Sequence, residues 1–265
     1  LGLVLSFVAA RRFFGLSAPW ALLAPAFLCA GRQYVIGAAG ANETRAATVV
    51  VLAATLAMAA EQRRRPPGWA ASGGLFFLGT LLRPEVPLLH LAAGLGFALS
   101  QPVRARLVAV VKSGALHAAL LGGLVAFRLL YFGRPLPNTF YAKVGGLQFE
   151  LGLRYLAQFP LQTFGWLWAP VLLFGLVVLA KRLPDLGAAV LVQAVLLGAW
   201  VAAAGGDAWE FRFLDPLLPG LAVLLAASLV AIAQLRGDLP SKRRALVCAG
   251  VGLAIAAYPV EHGCP

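Results

Sequence analysis

Acidic residues are scarce here. Ten Asp and Glu stand against 22 Lys and Arg, and residues of either sign make up only 12% of the chain. An ordinary soluble domain carries about 25% charged residues, so a water-facing surface of the usual kind is excluded. Cysteine is as thin: Cys29, Cys248 and Cys264 form neither a CxxC pair nor a Cys/His grouping. That removes a zinc site and a disulfide framework from consideration. Cys29 and Cys248 read as small apolar packing residues. The three histidines are equally dispersed, with His90 and His117 inside apolar runs and His262 near the end; a packed or interfacial ring and a proton-relay ring both stay open for them. No repeat with a period of about 20 to 50 residues is visible, and no linker separates two soluble domains.

What is abundant is apolar sequence, 61% of the residues, with 29 glycines and many alanines inside the apolar runs. The reading is a polytopic membrane protein, and the small residues inside its spans read as sites of close helix packing. Fourteen of the 22 basic residues fall in five clusters: Arg11-Arg12, Arg63-Arg64-Arg65, Arg104/Arg106/Lys112, Lys181-Arg182 and Arg236/Lys242-Arg243-Arg244. Short loops rich in Lys and Arg stay on the cytoplasmic side, so these clusters orient the chain. The net charge of +12 sits in loops with no basic helix or zinc spacing, which argues against nucleic acid as a partner.

Between the clusters, spans are expected over residues 1–10, 16–31, 46–60, 69–82, 86–100, 108–132, 163–180, 186–204, 213–235 and 245–260. The expected fold is all-α: one polytopic transmembrane helical bundle over 1–265, with roughly ten membrane passages. Residues 150–160 read as an amphipathic interfacial segment.

Charge held at membrane depth or against the outer surface is costly and is a functional candidate by default. Four external segments carry it. In Gly40 to Arg45, Glu43 is either an active-site carboxylate or a partner of the helix dipole, with Asn42 or Thr44 as cap. In Arg83-Pro84-Glu85, proline breaks the helix, and Arg83 either pairs with Glu85 or grips a phosphate, which a guanidinium suits. In Tyr131 to Lys143, the prolines, Asn138, Thr139 and Tyr141 make a polar ledge. Arg134 and Lys143 lie there on the disfavoured side, pointing to a lipid phosphate or to snorkelling at the interface. In Gly205 to Pro216, two glycines precede Asp207, Glu210, Arg212 and Asp215. Three acids beside one arginine predict uncompensated negative charge, suited to hydroxyls or a cation.

On these four segments the chain resembles the GT-C superfamily of membrane glycosyltransferases, in particular bacterial arabinofuranosyltransferases that use a polyprenyl-phosphate sugar. Gly40 to Arg45 looks like that family's Gly-x-Glu-Thr step, and Leu82 to Glu85 like its Thr-Arg-Pro-Glu turn. Tyr131 to Lys143 is similar to its Tyr-(Tyr/Phe)-Gly-x-x-x-Pro-Asn-Thr-x-x-Ala-Lys loop, and Gly205 to Pro216 to its Gly-Gly-Asp-x-x-x-x-Arg-(Phe/Tyr)-Leu-x-Pro stretch. Two positions depart: Leu82 stands where Thr is usual, and Asp215 where an apolar residue is.

The resemblance implies a multi-pass enzyme of the bacterial plasma membrane with its site on the periplasmic or extracellular face. It would move a sugar from a polyprenyl-phosphate donor to a glycan, lipid or protein acceptor of the envelope. Lys143, Arg134 and Arg83 would hold the donor phosphate; Asp207, Glu210, Asn138, Thr139, Tyr141, Glu85 and Glu43 would hold sugar or acceptor hydroxyls; Arg212 would orient Asp207. The family's general base lies in a first external loop, expected upstream of Leu1, so the chain reads as a fragment of a longer one. No cofactor is indicated; a divalent cation is left open without strong ligand spacing. A transporter or flippase of lipid-linked saccharides, and an envelope-glycan polymerase or ligase, are the competing readings.

Overall fold

A computed structural model describes residues 1–31, 33–35, 43–63, 70–100, 104–136, 146–163, 168–179, 185–207 and 211–235. Among them the structure is 85% helix, with no strand. The helices are α1 Gly2–Arg12, α2 Ala18–Ala21, α3 Leu23–Ala30, α4 Glu43–Glu61, α5 Ala71–Leu82, α6 Val86–Ser100, α7 Arg104–Phe132, α8 Phe149–Thr163, α9 Trp168–Leu179, α10 Asp185–Ala204 and α11 Leu218–Leu235. A 3-10 turn, Asp215–Leu217, leads into α11.

Four helical stretches among the described residues are long and apolar enough to cross a membrane: Glu43–Glu61, Leu107–Phe132, Asp185–Ala204 and Asp215–Gln234. Among the described residues, the passages that length and composition support are therefore four, and the expected ten are corrected to that extent. A helix rises about 1.5 Å per residue, so the 12 residues of α5 span about 18 Å, short of a hydrocarbon core of about 30 Å. The span expected over 16–31 is one short apolar helical stretch, Ala18–Ala30, with a turn residue at Leu22 that keeps helical angles of φ −65° and ψ −18°, where Pro25 has no N–H to return to Ala21 O. The span expected over 245–260 lies outside the described residues.

Two helices define inside and outside of the bundle. Of the stretch Asp215–Gln234, 89% is buried, and α11 packs against α9, α3 and α1. Of the stretch Leu107–Phe132, 17% is buried, leaving Val111, Phe127 and Leu130 on an exposed apolar face suited to acyl chains. Cys29 is also exposed, correcting its reading as a packing residue; Cys248 lies outside the described residues.

Small residues set the closest helix approaches, as expected, though at only some positions. A Cβ on Gly96 of α6 would stand 2.5 Å from Ala189 Cα and 2.8 Å from Ala188 O of α10. Beside this contact, Gln193 of α10 donates to Leu89 O at 3.1 Å and to Thr55 Oγ1 at 3.2 Å, tying α10 to α6 and α4. On α7, by contrast, a Cβ at Gly114, Gly122 or Gly123 would meet open space. Gly96→Val is therefore expected to cost about 1–3 kcal/mol by forcing backbone apart, read as a lowered thermal midpoint in nanodiscs. Gly122→Val should leave the midpoint unchanged, and equal losses would remove the packing account.

The bundle has two chemically distinct ends. At one, Arg63 Nη1 donates to Arg12 O at 3.4 Å and its guanidinium lies 4.6 Å over the Phe13 ring, so the first two basic clusters meet. At the other, the polar segments that begin α4, join α5 to α6 and precede α11 come together.

Candidate functional site

The local sequence explains how each segment is presented. The residue before proline is pushed out of the helical region, and Arg83, before Pro84, is extended at φ −142° and ψ 123°, ending α5 at Leu82. Its guanidinium turns inward. Arg83 Nε donates to Glu85 Oε1 at 2.7 Å, and Nη2 stands at 2.7 Å from the same oxygen. Both residues are 6% exposed.

Arg83 also reaches α4. Its Nη1 donates to Thr44 Oγ1 at 3.4 Å and stands 4.0 Å from Glu43 Oε1. Glu43 occupies the first turn of α4, where a carboxylate meets the positive end of the helix dipole, and 55% of its side chain is exposed. Phe213 provides a ring 5.3 Å from the Arg83 guanidinium, which adds the segment before α11. Asn42, the alternative cap, lies outside the described residues.

Where α10 ends, Gly205 and Gly206 adopt φ of +90° and +85°, and both amides return to Val201 O, at 3.0 and 3.3 Å. A Cβ on Gly205 would stand 2.7 Å from Gln148 Cβ, and one on Gly206 2.7 Å from the Tyr155 ring. Backbone sign and space thus both demand glycine there. The turn delivers Asp207 to Arg212, whose Nε bonds Asp207 Oδ2 and whose Nη2 donates to Oδ1 at 3.3 Å. Phe211 sits against Tyr155 and Phe159, with ring centroids 4.8 and 5.6 Å away. Burial, with Asp207 adding to it, pushes the Tyr155 phenol above its ordinary value, so it stays neutral.

Asp215 is 1% exposed. Its Oδ1 accepts from Gln33 Nε2 at 3.0 Å and its Oδ2 lies 3.5 Å from Arg45 Nη2. Arg45 also donates to Gln33 O and stacks 4.8 Å over the Tyr34 ring. A carboxylate at this depth needs a paired cation and further hydrogen bonds, and it finds both on segments far away in sequence.

Three of the four polar segments therefore converge at one end of the bundle. For two of the three acids the expectation of uncompensated charge is corrected: Asp207 pairs with Arg212, and Asp215 takes its arginine from the start of α4; the third, Glu210, lies outside the described residues. Arg83 is placed as the internal partner of Glu85. In the remaining segment, Gly133 at φ +68° ends α7, and Phe127, Tyr131 and Phe132 cluster at the helix end with centroids 4.7 to 6.3 Å apart, Phe127 stacked on Tyr131 and Phe132 edge-on to both, as interfacial aromatic residues do. Arg134 is exposed. Asn138, Thr139, Tyr141, Lys143 and Glu210 lie outside the described residues.

Gln33, Arg45 and Tyr155 join the site without having been assigned to it from sequence, and Asp215, counted among the acids of its segment, had been given no role of its own. Asp215 had a signal, an acid where the resembling stretch is apolar, and Arg45 lay at the edge of a recognised segment; Gln33 and Tyr155 had none. Among the described residues no group of three His, Cys, Asp or Glu is placed to hold a metal ion. No protein family, no curated protein and no solved structure matches this chain.

Proposed function

We propose that this chain is the membrane part of a GT-C-type glycosyltransferase, which moves a sugar from a polyprenyl-phosphate donor to an envelope acceptor on the external face. What carries the reading is that the Glu-Thr, Arg-Pro-Glu and Gly-Gly-Asp segments, scattered over the sequence, lie in contact through Arg83 and Arg45 at the end away from the first two basic clusters.

In the proposed reaction the acceptor oxygen attacks the anomeric carbon. The bond from that carbon to the phosphate oxygen breaks with inversion, the lipid phosphate leaves, and the acceptor proton passes to a base. Groups aimed where charge develops contribute most to such a step. Lys143 and the exposed Arg134 are assigned to the leaving phosphate. Arg83, already held by Glu85, is assigned the task of fixing the three segments relative to one another. Asp207 and Glu43, with Asn138, Thr139, Tyr141 and Glu210, are assigned to sugar and acceptor hydroxyls, whereas Glu85, enclosed against Arg83, is assigned to holding that guanidinium.

The test is transfer itself: membranes carrying the full-length gene product, given radiolabelled polyprenyl-phosphate pentoses and hexoses, are expected to move label into envelope glycan or lipid. Lys143→Ala should lower that turnover about a hundredfold, the scale of losing one preorganised electrostatic group. No transfer from any such donor, with the lipid-linked saccharide instead crossing the bilayer unchanged, would replace the reading with a transporter.

A further inference from the structure

At the opposite end from the site, inside the helices, lies a second polar system that glycosyl transfer does not use. It begins at Glu61, the last residue of α4, whose carboxylate accepts from Ser72 N at 2.9 Å and from Ser72 Oγ at 2.6 Å. Ser72 Oγ is 2.8 Å from Ser113 Oγ on α7, and Ser113 Oγ is 3.0 Å from His90 Nε2 on α6. His90 Nδ1 bonds His117 Nδ1, and His117 Nε2 is 3.1 Å from Thr80 Oγ1 on α5. All six residues are buried. The chain runs along α5 from Ser72 to Thr80, eight residues or about 12 Å of helix, and ends one turn before Arg83.

Small residues and ring stacking make this continuity geometric. Gly73 lets the backbone of α5 touch Ser113 O, which brings the two serine hydroxyls within bonding distance. Phe76 stacks on His90 with centroids 4.3 Å apart, and the His90 and His117 rings lie 16° from parallel with centroids 4.7 Å apart, which holds both imidazoles in place. The charged residues on the packed helices are Arg11 and Arg12 on α1, Glu43, Arg45 and Glu61 on α4, Arg104, Arg106, Lys112 and Arg128 on α7, and Asp185 on α10, with Arg63 just past Glu61 and Arg83 and Glu85 in the turn joining α5 to α6; of these, Glu61 belongs to the chain.

The hydrogen-bond inventory of the six groups closes in two ways. With Glu61 ionised, every hydrogen points toward it: Thr80 donates to His117 Nε2, His117 Nδ1–H to His90 Nδ1, His90 Nε2–H to Ser113, Ser113 to Ser72 and Ser72 to Glu61. With Glu61 protonated, every hydrogen points the other way, His117 Nε2–H donates to Thr80, and the Thr80 hydroxyl turns to Phe76 O, which it reaches at 3.0 Å. Each hydroxyl and each neutral imidazole supplies the one donor and one acceptor that both arrangements require. The two differ by one proton.

We infer that Glu61, Ser72, Ser113, His90, His117 and Thr80 form a proton relay, which moves one proton between the two ends of α5. A proton entering at Thr80 displaces that hydroxyl's hydrogen onto His117 Nε2, and each following bond hands on its own hydrogen until Ser72 protonates Glu61. One proton enters, one is stored on the carboxyl, no electron moves, and both imidazoles change tautomer. Ionisable groups at membrane depth are expensive and ordinarily functional, and this network is aligned for transfer as well as satisfied.

The experiment is nitrogen-15 NMR of histidine-labelled full-length protein in nanodiscs across a pH titration, with the carboxyl stretch of Glu61 followed by infrared difference spectroscopy against Glu61→Gln. As Glu61 takes up its proton, His90 and His117 should exchange tautomers together. Glu61→Gln, which keeps a partner for Ser72 but stores no proton, should hold both rings in one tautomer over that range. Ser113→Ala removes one oxygen from the middle; it should leave Glu61 titrating while the rings no longer respond. Ser6→Ala, which removes a buried hydroxyl bonded to Leu3 O outside the chain, should change nothing. Tautomers that stay constant while Glu61 titrates, or that respond equally in Ser113→Ala, would overturn the relay and leave a helix-packing network.

Discussion

Replacing Arg83 by methionine is expected to destabilise the protein by about 3–5 kcal/mol, the cost of leaving a buried charge without its partner. The partner is Glu85, whose side chain is 2% exposed and stands 2.7 Å from the guanidinium. Methionine keeps most of the volume and removes the charge, so Glu85 must be protonated or drag water into the turn. The contacts to Thr44 and Glu43 go with it, loosening the start of α4 from the turn between α5 and α6. The double substitution Arg83→Met with Glu85→Leu should recover most of the loss, since an apolar pair of similar size in place of a buried ion pair is often neutral or better. Thermal or denaturant unfolding of the two single variants and the double one in nanodiscs closes the cycle. Single variants with wild-type stability would mean that the pair is solvated and that Arg83 is free to meet a ligand.

Asp207→Asn is expected to lower sugar transfer by about a hundredfold or more while the protein remains folded. The substitution is isosteric and leaves the two glycines before it in place. It removes the charge that orients Arg212, and misplacing a positioned group by about 1 Å is enough for a loss of that size. The readout is turnover of the polyprenyl-phosphate donor, set against the thermal midpoint of the same preparation. A fall in the midpoint matching the fall in turnover would make the Gly-Gly-Asp turn a structural corner. Unchanged turnover would remove Asp207 from the proposed site, while Lys143→Ala tests the phosphate end independently.

Much of the local structure could be read from the residues. Arg83-Pro84 ends a helix because the residue before proline is driven out of the helical region, and α5 stops at Leu82 as that predicts. Gly205-Gly206 ends another because two successive positive φ values are accessible to glycine alone at ordinary cost. The scarcity of charge and the apolar runs are enough for an all-helical bundle, since every backbone group must be bonded within its own segment where water is absent.

The count of crossings was not readable in the same way. Hydropathy marks a stretch as apolar without saying how far its helix runs, and the stretch around α2 and α3 yields only the short helical piece Ala18–Ala30. Burial separates α11, enclosed by its neighbours, from α7, whose apolar face is open, although both read alike as sequence.

Sequence by itself determined the helical class and which short segments carry charge outside the basic clusters, because these follow from local backbone preference and from the free energy of each side chain in water or hydrocarbon. Only the tertiary structure decided the partnerships. Asp215 lies 182 positions from Gln33, and Glu61, Ser72, His90 and Ser113 come from four different helices. A buried polar group must find a complement wherever packing brings one within about 3 Å, and that distance is set by the glycine and alanine contacts between helices, which no local pattern of residues records.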